Sequence, residues 1–409
     1  MIMGIGPFTQ MLTMDEIPRK GPVSDSQLKI IHEAAIVLSG DEIIDVGTYR
    51  ELKSKYSDAD FLTINQPKVC MPGFVDVHTH LCWGGSRSTD YSQRIAGKSY
   101  LEIAREGGGI NVSVKGTRAA SESELINRLT LRALRHLSEG VTTCEVKSGY
   151  GLSEESEIKI LKVIKETGRA LPIDLIPTVL SAHIKPFDFQ GTPREYLDYV
   201  IEEILPEIKW QKLSERADIF VDQGAFSLED GEHFLKEARK LGFSLTIHAD
   251  QFTTGGSRLA VEYGALSADH LECISDADLE LLAHSDTAAV VLPGCSLGLG
   301  INYAPARRLL DAGASLVIST DWNPGSAPMG DLLLEASLIS AAQKLSTAET
   351  FSAITFRAAC ALNLHDRGIL KKGYKGDFLL FPTDDYREIL YNQGKLKPDS
   401  VWKSGKEVK

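Results

Sequence analysis

The alternation of hydrophobic and polar positions divides the chain into a long central region and two short flanks. From about Phe74 onward, short apolar runs alternate with amphipathic stretches that have a helical period. The runs are nearly continuous in Val, Ile, Leu and Phe, as expected when both faces of a parallel strand are covered. Eight of them are predicted to be strands: 73–81, 142–147, 174–180, 218–221, 244–247, 265–269, 288–292 and 315–319.

Helix start signals lie between these strands. Ser121, Ser227 and Ser275 each precede an acidic residue by three positions, so each places a hydroxyl where it can accept from the free N–H groups of a first helical turn. Eight strand–helix units in roughly 300 residues favour an α/β fold of the (β/α)8 TIM barrel type over an open doubly wound sheet. A dinucleotide-binding fold would need GxGxxG directly after its first strand, and neither glycine cluster, 107–109 or 255–256, stands in that context.

The two flanks have a different pattern. Residues 28–48 contain three short strand-like segments separated by turns, and residues 376–381 and 400–403 look similar. Because such short strands cannot each bury a face alone, we expect the two chain ends to pair into one small β-sandwich domain. The predicted organisation is a first part of the small domain at 1–70, the barrel at 71–366 and the second part of the small domain at 367–409.

Composition and charge narrow the class of protein. The 409 residues are 43% hydrophobic and carry a formal net charge of −12, which argues against nucleic-acid binding. No apolar run approaches the roughly 20 residues that a membrane span needs, and residues 1–13 lack the pattern of a secretory signal. The six scattered cysteines include no CxxC pair, which is typical of reduced thiols. We therefore expect a cytoplasmic globular protein that binds no nucleic acid and no membrane.

The segment 72–80, Pro-Gly-Phe-Val-Asp-Val-His-Thr-His, is the most informative part of the chain. Residues two apart on a strand point to the same face, so His78 and His80 converge on one point in the barrel mouth. Imidazole is a common ligand for zinc and similar ions. The alternative is that the two histidines are structural and only pack or form hydrogen bonds. The apolar strand before them and the later histidines argue against this alternative.

Four further polar residues follow predicted strands. His183, His248, His270 and Asp321 come after the third, fifth, sixth and eighth strands. The carboxyl ends of barrel strands build the active-site face, so all four side chains are predicted to share one rim with His78. Any one of them alone is more often structural. The remaining histidines are interpreted as surface or packing residues: His32, His136, His233, His284 and His365.

These motifs resemble the amidohydrolase superfamily. The resemblance rests on 73–80, His248, His270, Asp321 and the closing Gly-Asp-Phe-Leu-Leu segment at 376–380, and it covers nearly the whole chain. Within the superfamily, more specific segments resemble the imidazolonepropionase family of histidine degradation. These segments are 84–87, 106–110, 145–152, 267–271 and 319–326.

The resemblance implies a metal site. It implies one divalent or trivalent ion per subunit, zinc or iron, held by His78, His80, His248 and Asp321. A binuclear member of the superfamily would offer a bridging Lys or Glu at the end of the fourth strand, where this chain has Asp222 and no Lys. One metal is therefore expected. The resemblance to the superfamily also implies a homodimer.

The resemblance also implies a reaction. Hydroxide generated at the metal would attack the ring carbonyl of 4-imidazolone-5-propanoate, and opening of the C–N bond would give N-formimidoyl-L-glutamate. Asp321 is expected to take the proton of the attacking water, and His270 to orient that water or polarise the carbonyl. His183 is the third candidate for proton transfer.

Substrate contacts are implied in the same way. Arg87 and Tyr150 match family positions that bind the substrate, and a guanidinium with a phenol suits the propionate carboxylate. A solvated arginine and a packed tyrosine are the alternatives. The other implied contacts are His183, Gln251, Asn323, Gly325 and Ser326, of which the last three also fit an ordinary Asn-Pro-Gly turn.

Gln251 departs from part of the family, because some members have Glu at this position. An amide forms hydrogen bonds but cannot act as a carboxylate base, so proton handling would fall to His270 and Asp321. The second hypothesis is another cyclic amide or amidine hydrolase of the superfamily, including a deaminase, although deaminases generally use a Glu at this position. The third hypothesis, a catalytically silent scaffold, predicts a lost metal ligand, and all four ligands are present.

Overall fold

A computed structural model of the chain describes residues 2–98, 102–103 and 106–409. Its strands fall into two sheets, one built from the chain ends and one from the central region. In chain order the strands are β1 (Ile2–Leu12), β2 (Ile30–Ser39), β3 (Glu42–Thr48), β4 (Asp60–Thr63), β5 (Val69–Pro72), β6 (Phe74–Asp76), β7 (Val141–Lys147), β8 (Asp174–Ala182), β9 (Arg216–Val221), β10 (Ser244–Ala249), β11 (Ser267–His270), β12 (Ala288–Val291), β13 (Leu316–Ile318), β14 (Phe378–Phe381), β15 (Ser400–Lys403) and β16 (Lys406–Glu407).

Strands β6 to β13 form a parallel sheet in which each strand pairs with the next along the chain. The sheet closes on itself through a bridge between Thr79 and Trp322, supported by the Asp321 N–H donating to His78 O at 2.9 Å. The predicted (β/α)8 barrel is confirmed, and each of the eight predicted strand segments overlaps a barrel strand. Since the barrel closes just beyond β6 and β13, the residues that follow these strands lie side by side.

Helices cover the outside of the barrel, and one packs on the terminal sheet. No helix among the described residues is both long and apolar enough to cross a membrane. In chain order they are α1 (Tyr49–Lys55), α2 (Ser88–Ile95), α3 (Ile110–Ala119), α4 (Glu122–Ser138), α5 (Glu154–Ala170), α6 (Pro193–Tyr199), α7 (Leu205–Trp210), α8 (Leu228–Lys240), α9 (Gly256–Glu262), α10 (Asp276–Ala283), α11 (Pro293–Leu299), α12 (Ala306–Ala312), α13 (Leu332–Gln343), α14 (Thr347–Ala353), α15 (Phe356–Ala361) and α16 (Arg387–Tyr391).

The three predicted helix starts are confirmed at α4, α8 and α10. The hydroxyls of Ser121, Ser227 and Ser275 accept from the backbone N–H three residues later, at 3.3, 3.1 and 3.1 Å. The acidic side chain at that third position bonds back to the serine in each case. These bonds satisfy donors that the first turn of a helix leaves free.

The terminal sheet joins the two ends of the chain, in the order β16-β15-β14-β5-β1-β2-β3 with β4 beside β1. The predicted small β domain is thus confirmed. Two strand-like segments of 28–48 prove to be one continuous strand, β2. The sequence also did not predict β1, because Gly6 and Pro7 interrupt its apolar pattern, and the structure accommodates them with a register shift between Ile5 and Phe8.

A buried carboxylate ties the first barrel strand to the last. Asp76 accepts from Thr320 N at 3.2 Å and from Thr320 Oγ1 at 2.7 Å, and it also accepts from Ser319 Oγ. His136 from α4 lies 3.1 Å from the same carboxylate and packs on Trp322. Burial raises the pKa of Asp76, but these partners, His136 foremost, outweigh it and lower the pKa. The interpretation of His136 as a packing residue is confirmed, with a charge partner that sequence did not indicate.

Replacing the N-cap of α4 tests the helix assignments. Ser121→Ala removes the acceptor for the Glu124 N–H, and we expect the free energy of unfolding to fall by about 0.5–2 kcal/mol in urea denaturation. Ser121→Asp, which can still cap, is the matched control and should retain most of the stability. Equal losses in the two variants would show that the hydroxyl does not act as a cap.

Candidate functional site

Three imidazoles and one carboxylate converge at the carboxyl ends of the barrel strands. His78 and His80 follow β6, His248 lies in β10, and Asp321 follows β13. The Asp321 Oδ1 atom lies 3.4 Å from His78 Nε2 and 3.3 Å from His80 Nε2, while His80 Nε2 and His248 Nε2 are 3.4 Å apart. All four side chains are buried. The structure thus brings together the four residues that sequence analysis proposed as metal ligands.

Two carboxylates behind the histidines fix the orientation of the rings. Asp269 Oδ2 accepts from His78 Nδ1 at 2.6 Å, and Asp218 Oδ2 lies 3.0 Å from His248 Nδ1. With Nδ1 carrying the proton in each ring, the Nε2 lone pair is left to face the centre, as a metal-binding histidine requires. Sequence analysis missed both carboxylates. The signal was an acidic residue inside an otherwise apolar barrel strand.

A fully buried lysine lies beneath these carboxylates. Lys147 Nζ, at the end of β7, is 2.8 Å from Glu145 Oε1, 2.8 Å from Asp218 Oδ2 and 3.9 Å from Asp269 Oδ2. Burial lowers the pKa of Lys147, but the three carboxylates outweigh burial and raise it. The lysine therefore stays charged and links strands β7, β9 and β11 below the histidines.

The electrostatics of the centre favour a cation. Burial and the charge of Lys147 oppose protonation of His78, but Asp269 and Asp321 outweigh them and raise its pKa to about 9. Burial raises the pKa of Asp321, but the adjacent His78 and His80 imidazoles hold it well below its ordinary range. His78 Nε2 is buried without a hydrogen-bond partner among the described residues. This donor set of three imidazoles and one carboxylate fits a mononuclear metal ion.

Two residues of the rim have a backbone conformation that non-glycine residues rarely adopt. The φ angles are +87° at His270 and +50° at Asp321. Such conformations cost about 1–3 kcal/mol and persist where the surroundings over-determine them. The barrel closure next to Asp321 and the pairing of β11 with β10 supply that constraint. His270 is thereby held with its ring centroid 5.4 Å from that of His248.

His183 and Tyr150 form one wall of the site. The His183 ring stacks on His80 with centroids 5.5 Å apart, and the Tyr150 ring lies 5.7 Å from His183. The Gly149 carbonyl can only accept, so its 3.0 Å contact fixes the proton of His183 on Nδ1. Burial lowers the pKa of His183 to about 3, so the ring is neutral and Nε2 is an acceptor.

A buried glutamate positions the loop that carries Tyr150. The carboxylate of Glu157, in the first turn of α5, accepts from the backbone N–H groups of Gly149, Gly151 and Leu152 at 2.7–3.2 Å. Gly149 has a φ of +95°, which glycine adopts without strain. Sequence analysis did not single out Glu157, because an acidic residue in the first turn of a helix is commonplace.

Arg87 follows the first barrel strand and is paired with a carboxylate of helix α2. Its Nε donates to Asp90 Oδ2 at 2.9 Å, and the side chain is 7% exposed. A Cβ at Gly325 would collide with the Arg87 guanidinium, so only glycine allows this approach. Arg94, which sequence analysis missed, donates to Gly325 O at 3.2 Å, and its buried Nε has no hydrogen-bond partner among the described residues.

The loop after Asp321 is built around Asn323. Its amide donates to Asp321 O at 2.7 Å and to Ser326 Oγ at 3.0 Å, while its carbonyl accepts from the N–H groups of Gly325 and Ser326. These bonds use both donors and both lone pairs of the amide. Asn323 therefore shapes the loop, and Ser326 Oγ lies 3.5 Å from Asp321 Oδ2.

Asp222 stands at the end of the fourth barrel strand, where a binuclear site would have its bridging ligand. Its carboxylate accepts hydrogen bonds from the loop after β10. Its carboxylate accepts from Gln251 N at 2.9 Å, from Phe252 N at 2.8 Å and from Thr253 Oγ1 at 2.8 Å. It thus holds the loop after β10 and does not join the three histidines. The Gln251 amide is buried and donates to Cys295 Sγ at 3.2 Å.

The chain is similar over most of its length to one protein family and to individual members of known activity. The model of the amidohydrolase family matches residues 69–408. The chain is 39% identical over 402 residues to an imidazolonepropionase of Bacillus cytotoxicus, covering 97% of this chain and 94% of the relative. It is also 39% identical over 402 residues to an imidazolonepropionase of Fusobacterium nucleatum, covering 98% and 97%.

Solved structures share the fold at low sequence identity. Atrazine chlorohydrolase from Arthrobacter aurescens, complexed with zinc, superposes with a TM-score of 0.71 at 16% identity, covering 99% of this chain and 95% of that one. An adenosine deaminase from Xanthomonas campestris with bound zinc gives 0.71 at 17% identity, covering 99% and 92%. At these identities the likeness bears on the fold alone.

Removing the buried lysine tests the charge network. Lys147→Met leaves three buried carboxylates without their nearest cation, and we expect the free energy of unfolding to fall by about 3–5 kcal/mol. Urea denaturation measures this change. Lys236→Met, at an exposed position of α8, is the matched control and should stay within about 0.5 kcal/mol of the parent. If Lys147→Met unfolds at the same urea concentration as the control, the network does not contribute to stability.

Proposed function

This chain belongs to the amidohydrolase family, and from that premise we propose that it hydrolyses 4-imidazolone-5-propanoate to N-formimidoyl-L-glutamate. The observation that carries the proposal is the 39% identity to imidazolonepropionases over 97% of the chain. The convergence of His78, His80, His248 and Asp321 at the barrel mouth supports it. The reaction breaks the C–N bond of a cyclic amide.

A single divalent ion, zinc or iron, would be held by His78, His80, His248 and Asp321. When bound, such an ion supplies Lewis acidity and lowers the pKa of water toward ~7. The engagement of Asp222 by backbone and hydroxyl donors supports one ion over a bridged pair. Zinc and iron both accept this mixture of nitrogen and oxygen ligands.

The residues around the centre would handle the protons. Asp321 is a carboxylate at the centre, within 3.4 Å of His78 Nε2 and His80 Nε2, so it would accept a proton from the attacking water and pass it on. His270 would polarise the carbonyl or protonate the leaving nitrogen. The neutral His183, with Nε2 as acceptor, would take a hydrogen bond from a ring N–H of the substrate, which favours orientation over proton donation.

The carboxylate of the propionate would be met on the rim. Arg87 and Tyr150 are the proposed contacts, and the unpartnered Nε of Arg94 offers a second cation nearby. Gln251 would bond the imidazolone ring through the acceptor or donor that Cys295 does not use. The loop of Asn323, Gly325 and Ser326 would shape this side of the pocket.

Two other functions are less well supported. A deaminase would need a carboxylic acid at Gln251, and an amide cannot protonate a ring. A silent scaffold gives no reason to retain four buried ligands with orienting carboxylates. The homodimer and the cytoplasmic location stay predictions from sequence.

Activity and metal dependence form one test. Purified protein given freshly generated 4-imidazolone-5-propanoate should remove its ultraviolet absorbance and release N-formimidoyl-L-glutamate. Because His78 supplies a ligand atom, His78→Ala should lose both bound metal and activity, and a chelator should reproduce the loss. His365→Ala, at an exposed position, should retain both. A metal-free, fully active parent protein would refute the proposal, and hydrolysis of other cyclic amides alone would favour a different member of the family.

The carboxylate contact is tested by Arg87→Ala. Loss of charge-assisted hydrogen bonds should weaken substrate binding by about 1.5–3 kcal/mol, which raises KM tenfold or more and leaves kcat less affected. Steady-state kinetics measures the split. Arg128→Ala, an exposed residue of α4, is the control. An unchanged KM would assign the carboxylate to another cation, with Arg94 the first candidate.

A further inference from the structure

A second group of metal-binding side chains lies beside the three histidines. His270 ends β11, Glu272 follows two residues later, and Cys295 lies in the first turn of α11. Their ligand atoms all lie within 4.8 Å of one another. The His270 and Glu272 side chains are each 3% exposed, and Cys295 is fully buried. None of the four proposed ligands of the first centre belongs to this group.

Two atoms of this group are buried with unmet hydrogen-bonding capacity. Within the described residues, neither His270 Nδ1 nor Glu272 Oε2 has a hydrogen-bond partner, and the two atoms are 3.7 Å apart, too far for a hydrogen bond. A buried polar atom without a partner is costly and rare in native proteins. Because the two atoms are 3.7 Å apart, one bound cation could satisfy both.

The other atoms of the group are held in place by neighbours. Ser296 Oγ donates to Glu272 Oε1 at 2.8 Å, and Gln251 Nε2 donates to Cys295 Sγ at 3.2 Å. Such outer contacts orient the ligands of metal sites and leave the inward atoms free to bind. Cys273, the residue after Glu272, is exposed and does not belong to the group.

We propose that His270 Nδ1, Glu272 and Cys295 form a second site for a divalent cation of borderline softness, such as Zn²⁺ or Cd²⁺, that inhibits the enzyme. Nitrogen, carboxylate oxygen and thiolate sulfur together suit these ions, whereas Mg²⁺ and Ca²⁺ prefer oxygen alone. Zinc bond lengths put tetrahedral ligand atoms roughly 3.3–3.8 Å apart, so modest side-chain rotation closes the group. As the metal–sulfur bond forms, the thiol proton leaves to solvent, and a water completes the coordination.

Binding at this site would restrict His270. With Nδ1 coordinated, the ring proton is confined to Nε2, and the ring cannot take up a second proton. The inhibitory consequence rests on the proposed role of His270 in proton transfer, whereas the binding itself does not depend on the proposed function. Excess cation would therefore slow turnover without displacing the first metal.

Metal stoichiometry and a spectroscopic signature test the site in the holoprotein. Dialysis against excess Zn²⁺ should give two equivalents per chain in the parent and one in Cys295→Ser. Added Cd²⁺ should produce an ultraviolet thiolate-to-metal charge-transfer band as the second equivalent binds, because none of the four proposed ligands of the first centre contains sulfur. Cys273→Ser, which removes the exposed neighbouring thiol, should keep both the band and the second equivalent.

The outcomes separate this proposal from others. A band that survives in Cys295→Ser, or that disappears in Cys273→Ser, overturns it, and so does a band at a total of one metal per chain. If Cys295→Ser does not fold, Glu272→Gln should weaken the second equivalent by roughly tenfold or more while the first is kept. Failure of hydrolysis at one metal per chain, in protein that still takes up the second equivalent, would count against the proposed function only. Hydrolysis that excess Zn²⁺ does not slow would overturn the inhibitory role.

Discussion

The interaction on which the site depends is a buried ion cluster, with Lys147 at its centre and Glu145, Asp218 and Asp269 around it. Charged groups leave water only at a high free-energy cost, which close pairing offsets. Two of the carboxylates then use their remaining capacity on His78 and His248. The lysine thus acts on two histidines that it does not touch, because it fixes the carboxylates that lie against His78 Nδ1 and His248 Nδ1.

A small number of contacts also holds the residues of the rim in place. Asp321 and His270 are held in the left-handed region of φ by barrel closure and strand pairing, and each places its side chain toward the centre. Glu157 gathers three backbone N–H groups of the loop that carries Tyr150. In each case a rigid strand or helix supplies the anchor, and the loop residues provide the chemistry.

The barrel strands and the positions of the proposed metal ligands were predictable from the sequence. Continuous apolar runs identified every barrel strand, and the positions of His78, His248 and Asp321 at the ends of these strands placed them on one rim. The charges behind the rim were not predictable in the same way. Asp218 and Lys147 interrupt apolar strands, and hydropathy alone does not tell whether such a residue faces the barrel axis or the helices. Arg94 and Glu157 lie on helix turns where charged residues are normally solvated, and β1 is hidden by Gly6 and Pro7.

The position of β5 in the terminal sheet has a consequence for biosynthesis. It pairs with β1 on one side and with β14 on the other, so its two neighbours are made at opposite ends of translation. Until residues 378–381 leave the ribosome, one edge of β5 has no partner, and an unpaired edge invites association with other chains. The last barrel helix, α15, ends at Ala361, only a short stretch before β14. Pairing of β14 with β5 is therefore a late step of folding on the ribosome, and the edge of β5 is most exposed to aggregation before it.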